Sequence, residues 1–373
     1  MSNSTTPIAG HATAEGTEHY TDRFPELDPD HFRLAHGMMM SSIGLGTYLG
    51  EPTPAYDKSY ADAITVAVCL GCNVIDSAIN YRFQRSERSI ATAMRQLIEN
   101  GSRREEIVVC TKGGFLPFDG DYPKNPRAWI EAELIKPGII TPDDIVASCH
   151  CMTPAYIRHQ VARSLENLGL ETIDIYYIHN PETQLAELND EDFYYALEQA
   201  FIALESEVAA QRICSYGIAT WDAFLGVRES SDLISLDRVV ECARHAGGDS
   251  HHFRFVQLPV NLAMPAGLTQ MNQEVNGMRM TPLEAARSLN VSAVASASLL
   301  QAQLTRNLPA TVQQAISGLP NDAARALQFS RSAPGVTTAL VGMSNIEHVR
   351  ANLDLASIPP LADDEFLILF GNG

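Results

Sequence analysis

Positive charge is scarce in this chain of 373 residues: 26 lysines and arginines stand against 45 aspartates and glutamates, a formal net charge of −19 at pH 7. A surface of that sign repels nucleic acid and acidic membranes, so neither is an expected partner, and an anionic cofactor must find a local pocket that overcomes the field. No uninterrupted apolar run of transmembrane length occurs. The start, MSNSTTPIAGHATAEGTEHY, has neither a basic n-region nor an apolar h-region, and a cytoplasmic protein without membrane contact is expected. The turn G-x-G-x-x-G is missing as well. Gly44-Leu45-Gly46 runs on through Thr47, Tyr48 and Leu49 before Gly50, which argues against an open, doubly wound nucleotide-binding sheet. Cysteine offers no disulfide framework: there are seven, an odd number, mostly inside apolar runs, as reduced core thiols would be.

What is present is a sizeable apolar fraction, 45%, with only 19% charged residues, enough for one large core. Residues 1–28 lack apolar periodicity and read as a flexible or loosely docked arm, leaving 29–373 as a single domain. From there, aliphatic runs alternate with amphipathic stretches. The runs are SSIGLGT (around 42–47), NVIDSA (73–78), IVVCTKGG (107–114), IDIYYIHN (173–180), ICSYGIAT (213–220), FVQLPVNL (255–262), VSAVASAS (291–298) and TALVGMS (338–344). Helical patterns follow near 60–70, 86–100, 153–168, 193–209, 233–245, 281–289, 321–330 and 346–354. Eight strands each followed by a helix predict a closed α/β structure, a (β/α)8 TIM barrel. The connection from Gly113 to about Met152 is long for a compact domain and leaves the C-terminal end of the third strand, where barrels keep their chemistry. Its position suggests a lid; a surface decoration with a short helix near Ala128–Leu134 is the alternative.

Four titratable residues fall at one rim of such a barrel. Asp76 ends the second strand, Tyr81 lies in the loop after it, Lys112 ends the third strand and His179 the fourth. Taken singly, Asp76 can cap a turn, Tyr81 can be a half-buried aromatic, and His179 can be a core histidine or a metal ligand. Lys112 follows the apolar VVC and needs an anionic partner, which Asp76 supplies. Cys149-His150-Cys151 is too tightly spaced for a structural zinc site, and no metal is expected. Together the four form a mechanism. Lys112, held by Asp76, would lower the pKa of Tyr81, Tyr81 would act as general acid on a carbonyl oxygen, and His179 would orient that oxygen. Hydride must come from a nicotinamide or flavin, because no side chain delivers it.

These stretches also resemble a known family. GCNVIDSAINYRFQRSERSIATAM is similar to the aldo-keto reductase signature, VVCTKGG to its lysine strand and LGLETIDIYYIHNPE to its histidine strand, and the likeness runs over roughly residues 38–355. FRLAHGMMMSSIGLGTYLG resembles the hairpin that closes the family's barrel floor. The resemblance implies that Asp76, Tyr81, Lys112 and His179 are the catalytic residues. It implies reversible, metal-free reduction of a small aldehyde or ketone substrate with NADPH, NADH being the alternative cofactor.

It also implies cofactor-binding places. Gln257 would hold the nicotinamide carboxamide and Asp76 would lie by the ribose. ALVGMSNIEHVRANL, with Ser344, Glu347 and Asn352, resembles the segment around the adenosine phosphate. Three positions depart from the family pattern. GIAT replaces Gly-x-Ser-Asn, so that Thr220 must grip the carboxamide; Ser296 stands where an aromatic often stacks; and Gly342 and His348 stand where Lys and Arg often hold a 2′-phosphate, with Arg350 close by. A NAD-dependent aldose dehydrogenase, a cofactor-binding regulatory module with little turnover, and a metal-dependent barrel hydrolase are the competing readings. Substrate choice is expected from Phe115, Phe118, Tyr122 and Trp129 of the insert, the 48–60 loop and the tail Phe366–Gly373.

Overall fold

The structure is a computed structural model that describes residues 6–226 and 233–362 together with Phe366, Leu369 and Phe370. In chain order it begins with helix α1 (Ala14–Thr21), strands β1 (Phe32–Ala35), β2 (Met38–Ser41) and β3 (Ile43–Gly46), helix α2 (Pro54–Cys69), strand β4 (Val74–Asp76) and helix α3 (Arg85–Glu99). Strand β5 (Val108–Gly113), helices α4 (Pro126–Ile130) and α5 (Pro154–Leu168), strand β6 (Ile173–His179), helix α6 (Asp190–Ala209), strand β7 (Ile213–Ala219) and helix α7 (Leu236–Gly247) follow. The last third holds strand β8 (Phe253–Pro259), helix α8 (Ala266–Thr269), strands β9 (Gln273–Val275) and β10 (Met278–Met280), helix α9 (Pro282–Ser288), strand β11 (Ser292–Ser296), helices α10 (Ala310–Ala315) and α11 (Asp322–Ser332), strand β12 (Val336–Gly342) and helix α12 (Ile346–Leu353).

Eight of the strands close a parallel barrel in the order β3-β4-β5-β6-β7-β8-β11-β12, with β12 returning to β3 through Ala339 opposite Ile43. Each predicted strand is a barrel stave, and each predicted helix follows its strand. Local chemistry accounts for the helix starts. Thr53, Asn189, Ser235, Thr281, Asn321 and Asn345 each accept a first-turn amide on their side chains, and proline occupies the first turn of α2, α5 and α9. The hairpin β1-β2 turns at His36 and Gly37, both in the left-handed region (φ 46° and 87°), as a two-residue hairpin loop requires. Ala35, Met38 and Met40 pack into a ring of inward residues that includes Val74, Val108, Ile175 and Phe255, which plugs the barrel floor.

Three expectations are corrected here. The segment 1–28 is not loosely docked over its described residues. Helix α1 is capped by Thr13, Tyr20 is fully buried and donates to the Val68 carbonyl (2.5 Å), and the Ala12 amide donates to Asp174 (2.6 Å). AEGTEHYT shows only a weak apolar stripe because its buried face is made of Gly16, Thr17 and Tyr20. The 113–152 insert does not cover the barrel mouth. It packs against α5, where Leu134, Ile140 and Cys151 gather around Tyr156 of that helix, and Phe118 packs edge-on to both Tyr122 and Trp129 (5.2 Å each). In the tail, Phe366 stacks on Phe329 of α11 (4.9 Å, 25°) and Phe370 lies 6.1 Å from the same ring. The tail's other positions, 367–368 and 371–373, lie outside the described residues, apart from Leu369.

Candidate active site

At the C-terminal end of the barrel, β4 ends on Asp76 and β5 carries Lys112. The Lys112 Nζ donates to Asp76 Oδ1 (2.5 Å) and to the Ser77 carbonyl (2.7 Å), and the lysine is fully buried. Gln257, from β8, donates its amide to the other carboxylate oxygen at 3.0 Å. An ion pair this deep persists only if both charges are hydrogen-bonded, and here they are.

Tyr81 follows β4 in a turn tied to β5 by the Ile79 amide on the Lys112 carbonyl (3.1 Å). The next three residues, Arg82, Phe83 and Gln84, are all left-handed (φ 48°, 57° and 68°), a conformation costing roughly 1 kcal/mol or more per non-glycine residue. Buried Arg82 offsets this by donating to the Glu51 carbonyl (3.0 Å) and pairing with Asp57 (2.6 Å). The turn thus delivers Tyr81 over the lysine, whose Nζ lies 5.2 Å from the ring centroid. The His179 ring meets Tyr81 at 5.7 Å and 76°, and Phe115 at 5.1 Å and 90°. Its Nδ1 is buried and has no partner among the described residues.

The electrostatics follow from burial. Burial alone would depress the Lys112 ammonium, but the adjoining Asp76 carboxylate outweighs it and holds the pKa above the ordinary lysine value. Burial, then the Lys112 charge and the neighbouring His150, hold His179 well below the ordinary imidazole range, so its ring is neutral. For Tyr81 the expectation was a lowered pKa, and the structure overturns it. Burial pushes the phenol up, and the lowering influence of Lys112 is smaller and is countered by Asp76. A buried phenol in this position stays protonated at neutral pH.

Asp76, Tyr81 and His179 open into a cavity of about 880 Å3. Of the predicted cofactor residues, Thr220, Gln257, Ser296, Gly342, His348 and Asn352 line it, whereas Ser344 does not. Glu347 and Arg350 are exposed and are not part of its wall either. Phe115 is the insert's single contribution to the cavity wall, and Phe118, Tyr122 and Trp129 are not part of it. Sequence reasoning missed Asn80, Asn180, Trp221 and Ser298, which line it too. Asn180 and Trp221 stand just past the ends of β6 and β7, so the rule that barrel chemistry sits at strand C-termini could have found them. Ser298 lies in the loop after β11, with its hydroxyl buried and without a partner among the described residues.

Comparison with known proteins matches residues 42–225 to the model of the Aldo/keto reductase family. The chain belongs to the aldo-keto reductase family. Among curated relatives of this member, the NADH-specific methylglyoxal reductase of Escherichia coli (strain K12) is 31% identical over 145 residues, 38% of this chain and 38% of that protein. The D-threo-aldose 1-dehydrogenase of Pseudomonas sp is 29% identical over 203 residues, 53% of this chain and 56% of that protein. The chain therefore spans about two fifths to just over half the length of these two relatives. In fold it is similar to an aldo/keto reductase from Klebsiella pneumoniae solved in complex with NADP and acetate, with TM-score 0.61 and 18% identity over 91% of this chain and 94% of that one.

Proposed function

We propose that this protein reduces small aldehydes or ketones to alcohols by hydride transfer from a nicotinamide cofactor, with Tyr81 as general acid. One observation carries the reading: the buried Lys112–Asp76 pair sits at the base of a large cavity, with Tyr81 and a neutral His179 beside it. The cavity falls within the roughly 300–1,000 Å3 of ordinary ligand sites. Its walls carry polar groups that a dinucleotide can use, among them the unpartnered Ser298 hydroxyl and the Gln257 amide. Thr220, Ser296 and Asn352 are the further residues that would hold it.

A bound dihydronicotinamide supplies the hydride that no side chain can. The chain's residues manage the oxygen. His179, neutral, donates a ring N–H to the carbonyl oxygen and fixes its position. Tyr81, kept protonated by burial, hands its proton to the same oxygen as charge develops there. The Lys112 ammonium, facing the ring, stabilises the phenolate left behind, and Asp76 keeps that ammonium charged in its dry site.

The test is NADH or NADPH oxidation with 4-nitrobenzaldehyde by the full chain. Tyr81→Phe should cut turnover by roughly a hundredfold or more while cofactor affinity is retained. Equal rates in variant and parent would remove Tyr81 as the acid. A second reading, oxidation of aldoses, draws support from Asn80 and Asn180 beside Tyr48 and Phe115 in the cavity wall, since amides and ring faces together suit a hydroxylated substrate. The name of the Pseudomonas relative points the same way. Rates with a panel of aldoses and oxidised cofactor separate the two.

A further inference from the structure

Among the described residues lining the 880 Å3 cavity there is no lysine and no arginine. We propose that the dinucleotide it takes carries no 2′-phosphate, so that this protein is selective for NAD(H) over NADP(H). The inference rests on the nicotinamide reading above and adds the identity of the cofactor to it.

The reason is charge. A 2′-phosphate is a dianionic monoester, and holding one against solvent takes charge-assisted donors, above all the guanidinium fork or an ammonium. The end of the cavity built by β12, α11 and α12 offers Asn321, Ala323, Gly342, His348, Ala351 and Asn352. His348 is the sole titratable group of that set, and an exposed imidazole is not a fixed positive charge. The nearest basic side chain in sequence, Arg350, is exposed and is not among the residues lining the cavity.

Helix starts could substitute for missing cations, because their free amides and dipoles attract phosphate. At both helix starts near this end, one first-turn amide is already taken and an acid stands in the first turn. At α12 the Asn345 side chain takes the Glu347 amide (2.7 Å), and Glu347 places a carboxylate in the first turn. At α11 the Asn321 side chain takes the Ala324 amide (2.9 Å), and Asp322 adds a second carboxylate in the first turn. A monoester dianion arriving at this rim would meet no lysine or arginine among the described wall residues, in a chain whose net charge is −19. A ribose hydroxyl needs no such cation, since the Asn352 amide and the His348 imidazole offer hydrogen-bonding groups on the wall.

The diphosphate bridge is a different problem with a local answer. The loop after β11 places the buried, unpartnered Ser298 hydroxyl on the cavity wall, and Leu300, Gln301 and Ala302 are all left-handed (φ 44°, 51° and 69°). The Leu300 amide is taken by the Ala297 carbonyl (2.7 Å), and the next two residues, Gln301 and Ala302, line the cavity, where backbone amides of such a turn can face an anion without any side-chain cation. The cavity is thus equipped for the bridge and unequipped for a further phosphate.

Isothermal titration of the full chain with NADH and with NADPH, at two salt concentrations, tests this without reference to turnover. NADH should bind at least about tenfold more tightly, the loss expected when one charge-assisted phosphate contact has no partner. Equal or tighter binding of NADPH would overturn the selectivity while leaving the nicotinamide reading intact. Failure of both to bind would overturn that reading itself. His348→Arg should raise NADPH affinity by roughly tenfold, and no gain in a variant that still binds NADH would count against the proposed cause.

Discussion

The Nε2 of His150 lies 2.8 Å from the backbone carbonyl of His179, so the far end of the insert is fastened to the strand that carries one of the candidate catalytic side chains. Gln184 holds the other ring nitrogen at 2.7 Å, and Phe115 stands perpendicular to both histidine rings. Gly114 makes room for this contact: a Cβ there would sit 2.6 Å from His150 Nε2. Replacing His150 by alanine leaves a buried carbonyl and a buried amide without a partner. The expected loss is about 2–4 kcal/mol of unfolding free energy, measurable by urea titration. A change within about 0.5 kcal/mol, the range of inert surface substitutions, would show that the anchor is not stabilising.

Two buried imidazoles make the fold acid-sensitive. Burial pushes His150 and His31 down to about 4, His31 being held between the Gly71 carbonyl (2.9 Å) and the Ser42 hydroxyl (3.0 Å). A depressed histidine pKa means that the unfolded chain binds the proton first. The stability each contributes is therefore complete above about pH 6.5 and is lost as pH falls towards 4, by roughly 3 kcal/mol per ring. Glu182, pushed up to about 7 by burial, acts in the opposite sense between pH 7 and 4.5 and offsets part of the loss. Unfolding free energies at several pH values for the parent and His31→Gln should show a shallower acid slope in the variant. Identical slopes would mean that His31 is not part of the response.

The Glu182 carboxylate accepts the amides of Trp221 (2.7 Å) and Asp222 (3.3 Å), and its second oxygen is buried without a partner among the described residues. Trp221 lines the cavity, and the chain has only one other tryptophan, Trp129. In a Trp129→Phe background, Trp221 emission should titrate with a midpoint near 7, following protonation of Glu182. The transition should vanish in Glu182→Gln. A midpoint that survives that change would assign it to another group.

Asp76→Asn strands the Lys112 ammonium in a dry site and should cost about 3–5 kcal/mol. Adding Lys112→Met should recover most of that stability while turnover stays absent, since the charge beside Tyr81 is gone. Denaturant unfolding alongside cofactor oxidation separates the two effects. Restored turnover in the double variant would remove the ion pair from the chemistry.

The barrel was legible in the sequence because each stave is a short aliphatic run and most helices begin on a capping side chain or proline. The four titratable residues could be placed at one rim because strand ends in a closed parallel sheet are neighbours. What escaped depended on three-dimensional crowding. Helix α1 is anchored by contacts distant in sequence, among them the Tyr20 hydroxyl on Val68 and the Met39 amide on Thr17, which no periodicity reports. Of the insert's aromatics expected at a substrate wall, Phe115 lines the cavity, whereas Phe118, Tyr122 and Trp129 pack on one another. For Tyr81, the spacing named the charge beside the phenol but could not weigh it against burial, and burial prevails. Ser298 is an ordinary serine in sequence, and only the loop's path turns its hydroxyl inward.

The insert leaves β5 and comes back to it at almost the same point: Leu116 donates to Cys149, Cys151 donates to Gly114, and Phe115 pairs with His150. A detour whose exit and entrance are stitched together places no tension on the strands it interrupts. The stretch between the stitches can lengthen, shorten or be exchanged as a cassette while the barrel keeps its register, and Phe115, inside the seam, goes on facing the chemistry unchanged. The fold thereby separates the part of the chain that is open to variation from the part that must stay still.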